Sequence, residues 1–220
     1  LEYELVTKKL NITLTVIRAL EEQGVLALEE ERVYRNPVKE TEQARREIVF
    51  TEEQQNAISR FRQDYREGRR NTYLLYGVTG SGKTEVYMEM IRTVVSMGKQ
   101  AIVLIPEIAL TYQTVMRFYR CFGDRVSIMN SRLSPGERYD QMMRAKAGEV
   151  DVMIGPRSAL FTPFPDLGLI VIDEEHEPTY KSEQVPRYHA RETAVKRAQM
   201  EGAGVVLGSA TPSLEAMYRA

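Results

Sequence analysis

The sequence predicts an α/β fold, a parallel sheet with helices on both faces, preceded by a smaller helical element. Three observations carry this. From Tyr73 onward, short apolar runs alternate with longer helical patterns. Several runs, such as AIVLI at 101–105 and LIVI at 169–172, are apolar at every position, and strands without a polar face belong in a parallel sheet covered on both sides. The first run leads through a glycine-rich turn directly into the first helical pattern, the strand–loop–helix order of a phosphate-binding unit. At 220 residues and 43% hydrophobic, the chain can build one good core and a small appendage.

The elements follow in order. Residues 1–36 contain TKKLNITLTVIRALEEQGVLALEEERVYRN, read as a short helix, a turn at Asn11 to Thr13, and a second helix. Leu14, Ile17 and Leu20 mark one face of that second helix, and Gly24 closes it from the C′ position. Two short strands, Val25–Leu28 and Arg32–Arg35, complete a partial winged-helix pattern; a generic small helical unit fits the periodicity equally well. Residues 37–50, PVKETEQARREIVF, read as a charged linker. A helix then starts with Thr51 as N-cap and runs to about Arg66, with Gln54 at N3 placed for a capping box. In the remainder, 51–220, expected strands are Tyr73–Tyr76, Ala101–Ile105, Arg125–Met129, Val152–Ile154, Leu169–Ile172 and Val205–Leu207. The helices between them are Lys83–Met97, Leu110–Phe122, Pro135–Ala147 and His189–Glu201.

Composition narrows the function classes. The formal net charge is −1, so nothing marks a strongly basic nucleic-acid module, although a local stripe can hide in a neutral total. Cys121 is the single cysteine, which excludes an internal disulfide and a cysteine-rich zinc site. No run approaches the roughly 18 apolar residues of a membrane span, and the first residues lack a signal-peptide pattern, so a cytoplasmic chain without a membrane partner is expected. The chain starts at Leu1 and stops just after a helix begins at Ser213, which suggests a piece excised from a longer protein.

Gly77, Val78, Thr79, Gly80, Ser81, Gly82, Lys83 and Thr84 fit G-x-x-x-x-G-K-[ST]. The glycines let backbone N–H groups curl around a phosphate, and the following helix N-terminus adds partial positive charge. Lys83 is placed for the β- and γ-phosphates, and the Thr84 hydroxyl for Mg²⁺. Asp173-Glu174-Glu175-His176 leaves the apolar run at 167–172, and a carboxylate at the end of a parallel strand faces the ligand crevice. Asp173 suits the Mg²⁺ shell, and Glu174 suits orienting and deprotonating a water. Ser209 and Thr211, in GSATPS, bring short hydroxyls to the same edge, where they could report loss of the γ-phosphate; taken alone, the segment is a polar turn capping the next helix.

Two further blocks leave strands at their carboxyl ends: IPEIALTYQ, with Pro106 and Glu107, and GPRSALFTPF, with Arg157 and Ser158. Turns that expose backbone next to polar groups suit gripping a phosphodiester, although each block taken alone reads as an ordinary loop. The segment 176–191 interleaves Tyr180 and Tyr188 with Lys181, Arg187, His189 and Arg191, a composition suited to single-strand stacking and backbone contact; an ordinary exposed loop would look the same. Both histidines, His176 and His189, fall here, and no ligand spacing supports a metal site.

The phosphate loop, the D-E-x-H box, the S-A-T motif and the upstream Gln together resemble the first RecA-like lobe of a superfamily 2 helicase. GVTGSGKTEVY, IPEIALT, LSPGERYD, IGPRSALFTPF, IDEEHEPTYK, RYHARE and LGSATPSLE are similar to the bacterial primosomal replication-restart helicases, the PriA or primosomal protein N′ family, from about Phe50 to the last residue. EEERVYRNP resembles the end of that family's winged-helix domain. The resemblance implies an ATP- and Mg²⁺-dependent helicase that moves 3′-to-5′ on forked or single-stranded DNA and acts with other primosome proteins. It implies that Gln54 reads adenine and that His176, with Ser209 and Thr211, couples the nucleotide to motion. The stretch after His176 matches the family's aromatic-rich loop, but holds Tyr180 and Tyr188 without Trp or Phe. A second lobe supplies arginines to the ATP site in such helicases, and the family's zinc site lies in another part of the protein, so this lobe alone is expected to turn over poorly. Two other readings share the same motifs: a duplex-DNA translocase subunit of restriction type, and a non-hydrolysing docking module, against which Glu174 argues.

Overall fold

A computed structural model describes residues 12–27 and 49–219. The chain divides into two compact units, Leu1–Val33 and Tyr34–Ala220. In the first, α1 (Leu14–Glu22) buries Ile17, while Leu14 stays exposed. Gly24, at φ +69°, donates to Glu21 O, and Val25 N donates to Leu20 O, the paired bonds of a Schellman stop. Val25, Leu26 and Ala27 carry no strand; the expected first helix, the rest of the hairpin and nearly all of the 37–50 linker lie outside the described residues.

The first described element of the second unit is α2 (Glu52–Arg66). Thr51 Oγ1 accepts from Gln54 N, and Gln54 Oε1 accepts from Thr51 N, the capping box expected from the sequence. The alternation that follows is β1 (Thr72–Tyr76), α3 (Lys83–Val95), β2 (Gln100–Leu104), α4 (Tyr112–Phe122), β3 (Val126–Ile128), α5 (Pro135–Lys146), β4 (Val152–Gly155), β5 (Leu167–Ile172), α6 (Ala190–Glu201), β6 (Gly204–Ser209) and α7 (Leu214–Arg219). Every strand and helix expected from Thr51 onward is present, with ends within two residues of those expected.

All strand pairings are parallel, in the order β1-β6-β5-β2-β4-β3. The wholly apolar runs are explained by two cores, one on each face. Ala101, Val103, Leu169 and Val171 pack with Phe61, Ile91 and Phe118 of α2, α3 and α4. Ile102, Leu104, Ile170 and Ile172 pack on the other face with Ala145 of α5 and Ala190, Ala194 and Ala198 of α6. Successive side chains on a strand face opposite ways, so each strand must be apolar throughout.

This order decides where the site forms. The loops after β1, β6 and β5 are neighbours at one carboxyl edge, followed by those after β2 and β4. Backbone bonds brace that edge: Gly77 N donates to Ser209 O, Glu175 N to Gly208 O, and Asp173 N to Leu104 O.

Candidate nucleotide and nucleic-acid site

The candidate phosphate loop, Gly77 to Thr84, runs from the end of β1 into the first turn of α3. Gly82, the N-cap of α3, sits at φ +79°, a left-handed conformation that favours glycine, and a Cβ there would lie 2.6 Å from Gln54 Nε2. Val78, Thr79 and Gly80 are exposed at the mouth of the loop, and Ser81 is half-buried. Lys83 is buried, and its ammonium donates to Gly77 O at 2.7 Å and Val78 O at 3.3 Å while lying 3.9 Å from Glu174 Oε1. The ammonium is thus folded back on its own loop, held by two of that loop's carbonyls. The Thr84 hydroxyl holds no hydrogen bond among the described residues, so it is free to serve as an oxygen ligand. Gln54 Nε2 donates to Ser81 O at 2.7 Å, fastening α2 to the loop.

Asp173 and Glu174 arrive from β5, two strands from β1. Burial pushes the Asp173 carboxyl above its ordinary range and the Glu174 charge adds to this, while Tyr87 and Lys83 pull it back. Two donors reach Asp173 Oδ1: the Tyr87 hydroxyl at 3.2 Å and Glu174 N at 3.1 Å. Glu174 has φ +48°, the one non-glycine in that region among the described residues. Such strain costs on the order of 1–3 kcal/mol and persists where the surroundings impose it. His176 Nδ1 lies 2.7 Å from Ser209 Oγ and 3.7 Å from Glu174 Oε2, and Ser209 Oγ also accepts from Thr211 N. The acid box and the S-A-T segment are thus joined side chain to side chain.

The nucleic-acid candidates divide. Tyr180 corrects the sequence reading: it is 1% exposed, and its hydroxyl lies 2.7 Å from Asp173 O and 3.0 Å from Leu104 O. A ring sunk beneath the sheet edge cannot stack on a base. Pro106 is also buried, and its carbonyl accepts from Ala109 N and Leu110 N, so it shapes the turn. Glu107 accepts from Ser131 N, and hydrogen bonds from the Ser131 side chain and then its backbone hold the carboxyl below the ordinary range; as an anion it braces that turn and is no partner for a phosphate. Arg157 is engaged too, donating from Nη1 to Thr179 O and Lys181 O on either side of Tyr180. Ser158, Lys181 and Arg187 are exposed, and Tyr188 is half-buried, edge-on to Phe161 at 5.2 Å. Lys181 and His189 form a β-bridge that closes the intervening residues into a protruding loop. Burial lowers the His189 pKa, and its Nδ1 accepts from Arg191 N at the start of α6. No group of three or more His, Cys, Asp or Glu side chains suited to a metal occurs among the described residues.

Residues 51–220 match the family model described as DEAD/DEAH box helicase. The chain belongs to the DEAD/DEAH box helicase family. It is 47% identical over 214 residues to the replication restart protein PriA of Bacillus subtilis, covering 97% of this chain and 27% of that protein. The PriA protein of Chlamydia pneumoniae is 47% identical over 169 residues (76% of this chain, 23% of the relative), and that of Chlamydia muridarum 41% over 223 (97% and 29%). The chain therefore spans about a quarter of the length of these curated relatives. Among solved structures, RecG bound to a three-way DNA junction superposes with a TM-score of 0.59 at 24% identity, over 78% of this chain and 22% of that one. The Pyrococcus furiosus Hef helicase domain gives 0.54 at 19% identity, over 76% and 34%. The fold of residues 51–220 is that of a RecA-like helicase lobe.

Sequence reading missed several residues of this lobe. Tyr87 looks like any core residue of α3, and only the tertiary structure brings its hydroxyl to Asp173. Phe161, 51% exposed and edge-on to Tyr188, forms an exposed aromatic surface where Tyr180 is buried. Glu175, in the middle of the acid box, turns inward to Arg191 Nη1 at 2.9 Å and Ser213 N at 2.6 Å. No local pattern distinguishes it from Glu174.

Proposed function

We propose that this chain is the ATP-binding first motor lobe of a replication-restart DNA helicase that moves 3′-to-5′. The observation that carries the reading is the meeting of Lys83, Asp173, Glu174 and the His176–Ser209 pair at one sheet edge. These groups fit a nucleotide with its cation: the loop is a glycine-lined cradle, Lys83 and the α3 N-terminus face it, and the Thr84 hydroxyl and an Asp173 oxygen are uncommitted. When bound, Mg²⁺ neutralises charge on the β- and γ-phosphates. Lys83 exchanges its loop carbonyls for phosphate oxygens. Glu174, held at its strained backbone angle, orients a water and takes its proton. His176 and Ser209 pass the change to the segment carrying Thr211 and α7. Gln54, whose amide is bonded to Ser81 O and Thr51 N in this structure, is assigned to read the base by exchanging those bonds. The strand contacts are assigned to Phe161 and Tyr188 for stacking, with Ser158, Lys181 and Arg187 for the backbone.

The names of the curated relatives support replication restart as the setting, with forked or single-stranded DNA and other restart proteins as partners. In this reading the lobe binds nucleotide by itself and turns over slowly. A transition-state arginine supplied from elsewhere is worth roughly 10³–10⁵ in rate in other NTPases. The test is ATP hydrolysis by this chain and by a full-length relative, each with and without forked DNA. A DNA-stimulated full-length protein and a nearly silent lobe are expected, with Lys83→Ala losing nucleotide binding and Glu174→Gln keeping binding but not hydrolysis. Equal turnover in both proteins, indifferent to DNA, overturns the assignment.

A further inference from the structure

Tyr87 is fully buried, yet it ends in a hydroxyl, and that hydroxyl has one hydrogen-bond partner among the described residues: Asp173 Oδ1, at 3.2 Å. A phenol in a core is chosen over a phenyl when its oxygen has work to do. Three features say what the work is. Tyr87 lies on α3 three and four residues after Thr84 and Lys83, so one helix face presents all three side chains. Glu174 N donates to the same Oδ1, so both donors converge on one carboxylate oxygen and Oδ2 receives none among the described residues. Finally, β6 makes room: a Cβ on Gly208 would stand 1.3 Å from the Tyr87 hydroxyl oxygen and 2.4 Å from Cζ. No side chain of any size is compatible with the phenol where it sits, so the glycine of LGSAT and the tyrosine of GKTEVY are fitted to each other.

Resting on the Mg²⁺–nucleotide reading above, we propose that Tyr87 is a positioning residue for the metal ligand. Its hydroxyl and Glu174 N pin Asp173 by Oδ1 and leave Oδ2 as the oxygen that would take the cation, and Gly208 is the vacancy that lets the hydroxyl reach it. Because Tyr87 shares a rigid helix with Lys83 and Thr84, the carboxylate from β5 is held in register with the phosphate-binding groups. Orienting partners of metal ligands are typically worth about 10- to 100-fold in metal affinity.

The experiment measures binding of a fluorescent, non-hydrolysable ATP analogue to the chain, first in EDTA and then along a Mg²⁺ titration. Mn²⁺ binding followed by electron paramagnetic resonance is the second readout. Tyr87→Phe is expected to leave metal-free nucleotide affinity within about twofold and to raise the half-saturating Mg²⁺ and Mn²⁺ concentrations about tenfold. Gly208→Ala, which displaces the phenol with its hydroxyl intact, is expected to do the same or worse. Asp173→Asn should lose the metal dependence, and adding Tyr87→Phe to it should cost nothing more, since the two act through one group. Unchanged metal dependence in Tyr87→Phe overturns the proposal, as does an equal fall in metal-free and metal-dependent affinity, because the hydroxyl would then only hold the fold. A wild-type chain whose nucleotide binding ignores Mg²⁺ removes the underlying site reading and this inference with it, a result distinct from either.

Discussion

Replacing Arg191 with Met removes the cation from a nearly closed ion pair. The Glu175 side chain is 0% exposed and that of Arg191 12% exposed, with Nη1 2.9 Å from Glu175 Oε2 and 2.5 Å from Ser213 Oγ. Breaking a buried pair from one side costs about 3–5 kcal/mol, because the remaining charge is stranded. Here Glu175 keeps two donors, Ser213 N at 2.6 Å and Ser213 Oγ at 3.1 Å, which places Arg191→Met near the lower end, about 3 kcal/mol. In a chain of this size each kcal/mol lowers Tm by about 2–4 °C, so a fall of roughly 6–12 °C is expected. The assay is thermal unfolding of the wild type, Arg191→Met, Glu175→Gln and the double variant. The double variant should recover part of the loss, since no stranded charge remains. The network also ties the residue beside Glu174 to α6 and to the segment after β6, so Arg191→Met should further slow hydrolysis in a full-length relative. A Tm within about 2 °C of wild type, or strict additivity in the double variant, refutes the argument that this pair is a buried strut.

Tyr180 and Tyr188 separate packing from strand contact. Tyr180→Ala should cost about 3–5 kcal/mol in thermal unfolding, as for other buried large side chains, whereas Tyr188→Ala should forfeit little more than its edge-on pair with Phe161, about 0.5–1.5 kcal/mol, and weaken DNA stimulation of the ATPase; similar stability losses would contradict the burial difference. Asp173 carries a pH signature. Its carboxyl is raised above 3.8 in the folded state, so folding favours the protonated form; the cost to stability begins as pH rises past 3.8 and is complete above the folded value. Asp173→Asn should therefore raise Tm at neutral pH, and the gain should vanish as pH falls toward 3.8; a gain independent of pH would assign it to packing instead.

The sequence by itself determined the parts of this lobe whose physics is local. The phosphate loop is eight consecutive residues, its glycines and Lys83 sit next to the helix that uses them, and the Thr51–Gln54 box spans four residues. The parallel sheet was legible because strands buried on both faces must be apolar at every position, as in 101–105 and 169–172. The tertiary structure alone decided which carboxyl ends are neighbours. The order β1-β6-β5-β2-β4-β3 puts Lys83 beside Glu174, His176 beside Ser209 and Arg157 beside the turn holding Tyr180. Apolar periodicity records that a residue is buried and not what it is buried against, so the Tyr87 hydroxyl at Asp173 was invisible in the α3 pattern. The reverse holds for Tyr180: flanked by Thr179 and Lys181, it reads as loop surface. Its burial arises because a short 3₁₀ turn, held by Arg157, drives the ring beneath Asp173 and Leu104. Composition fixes what a segment can do, while the contacts made between distant segments fix which side chains stay on the surface and which enter the core.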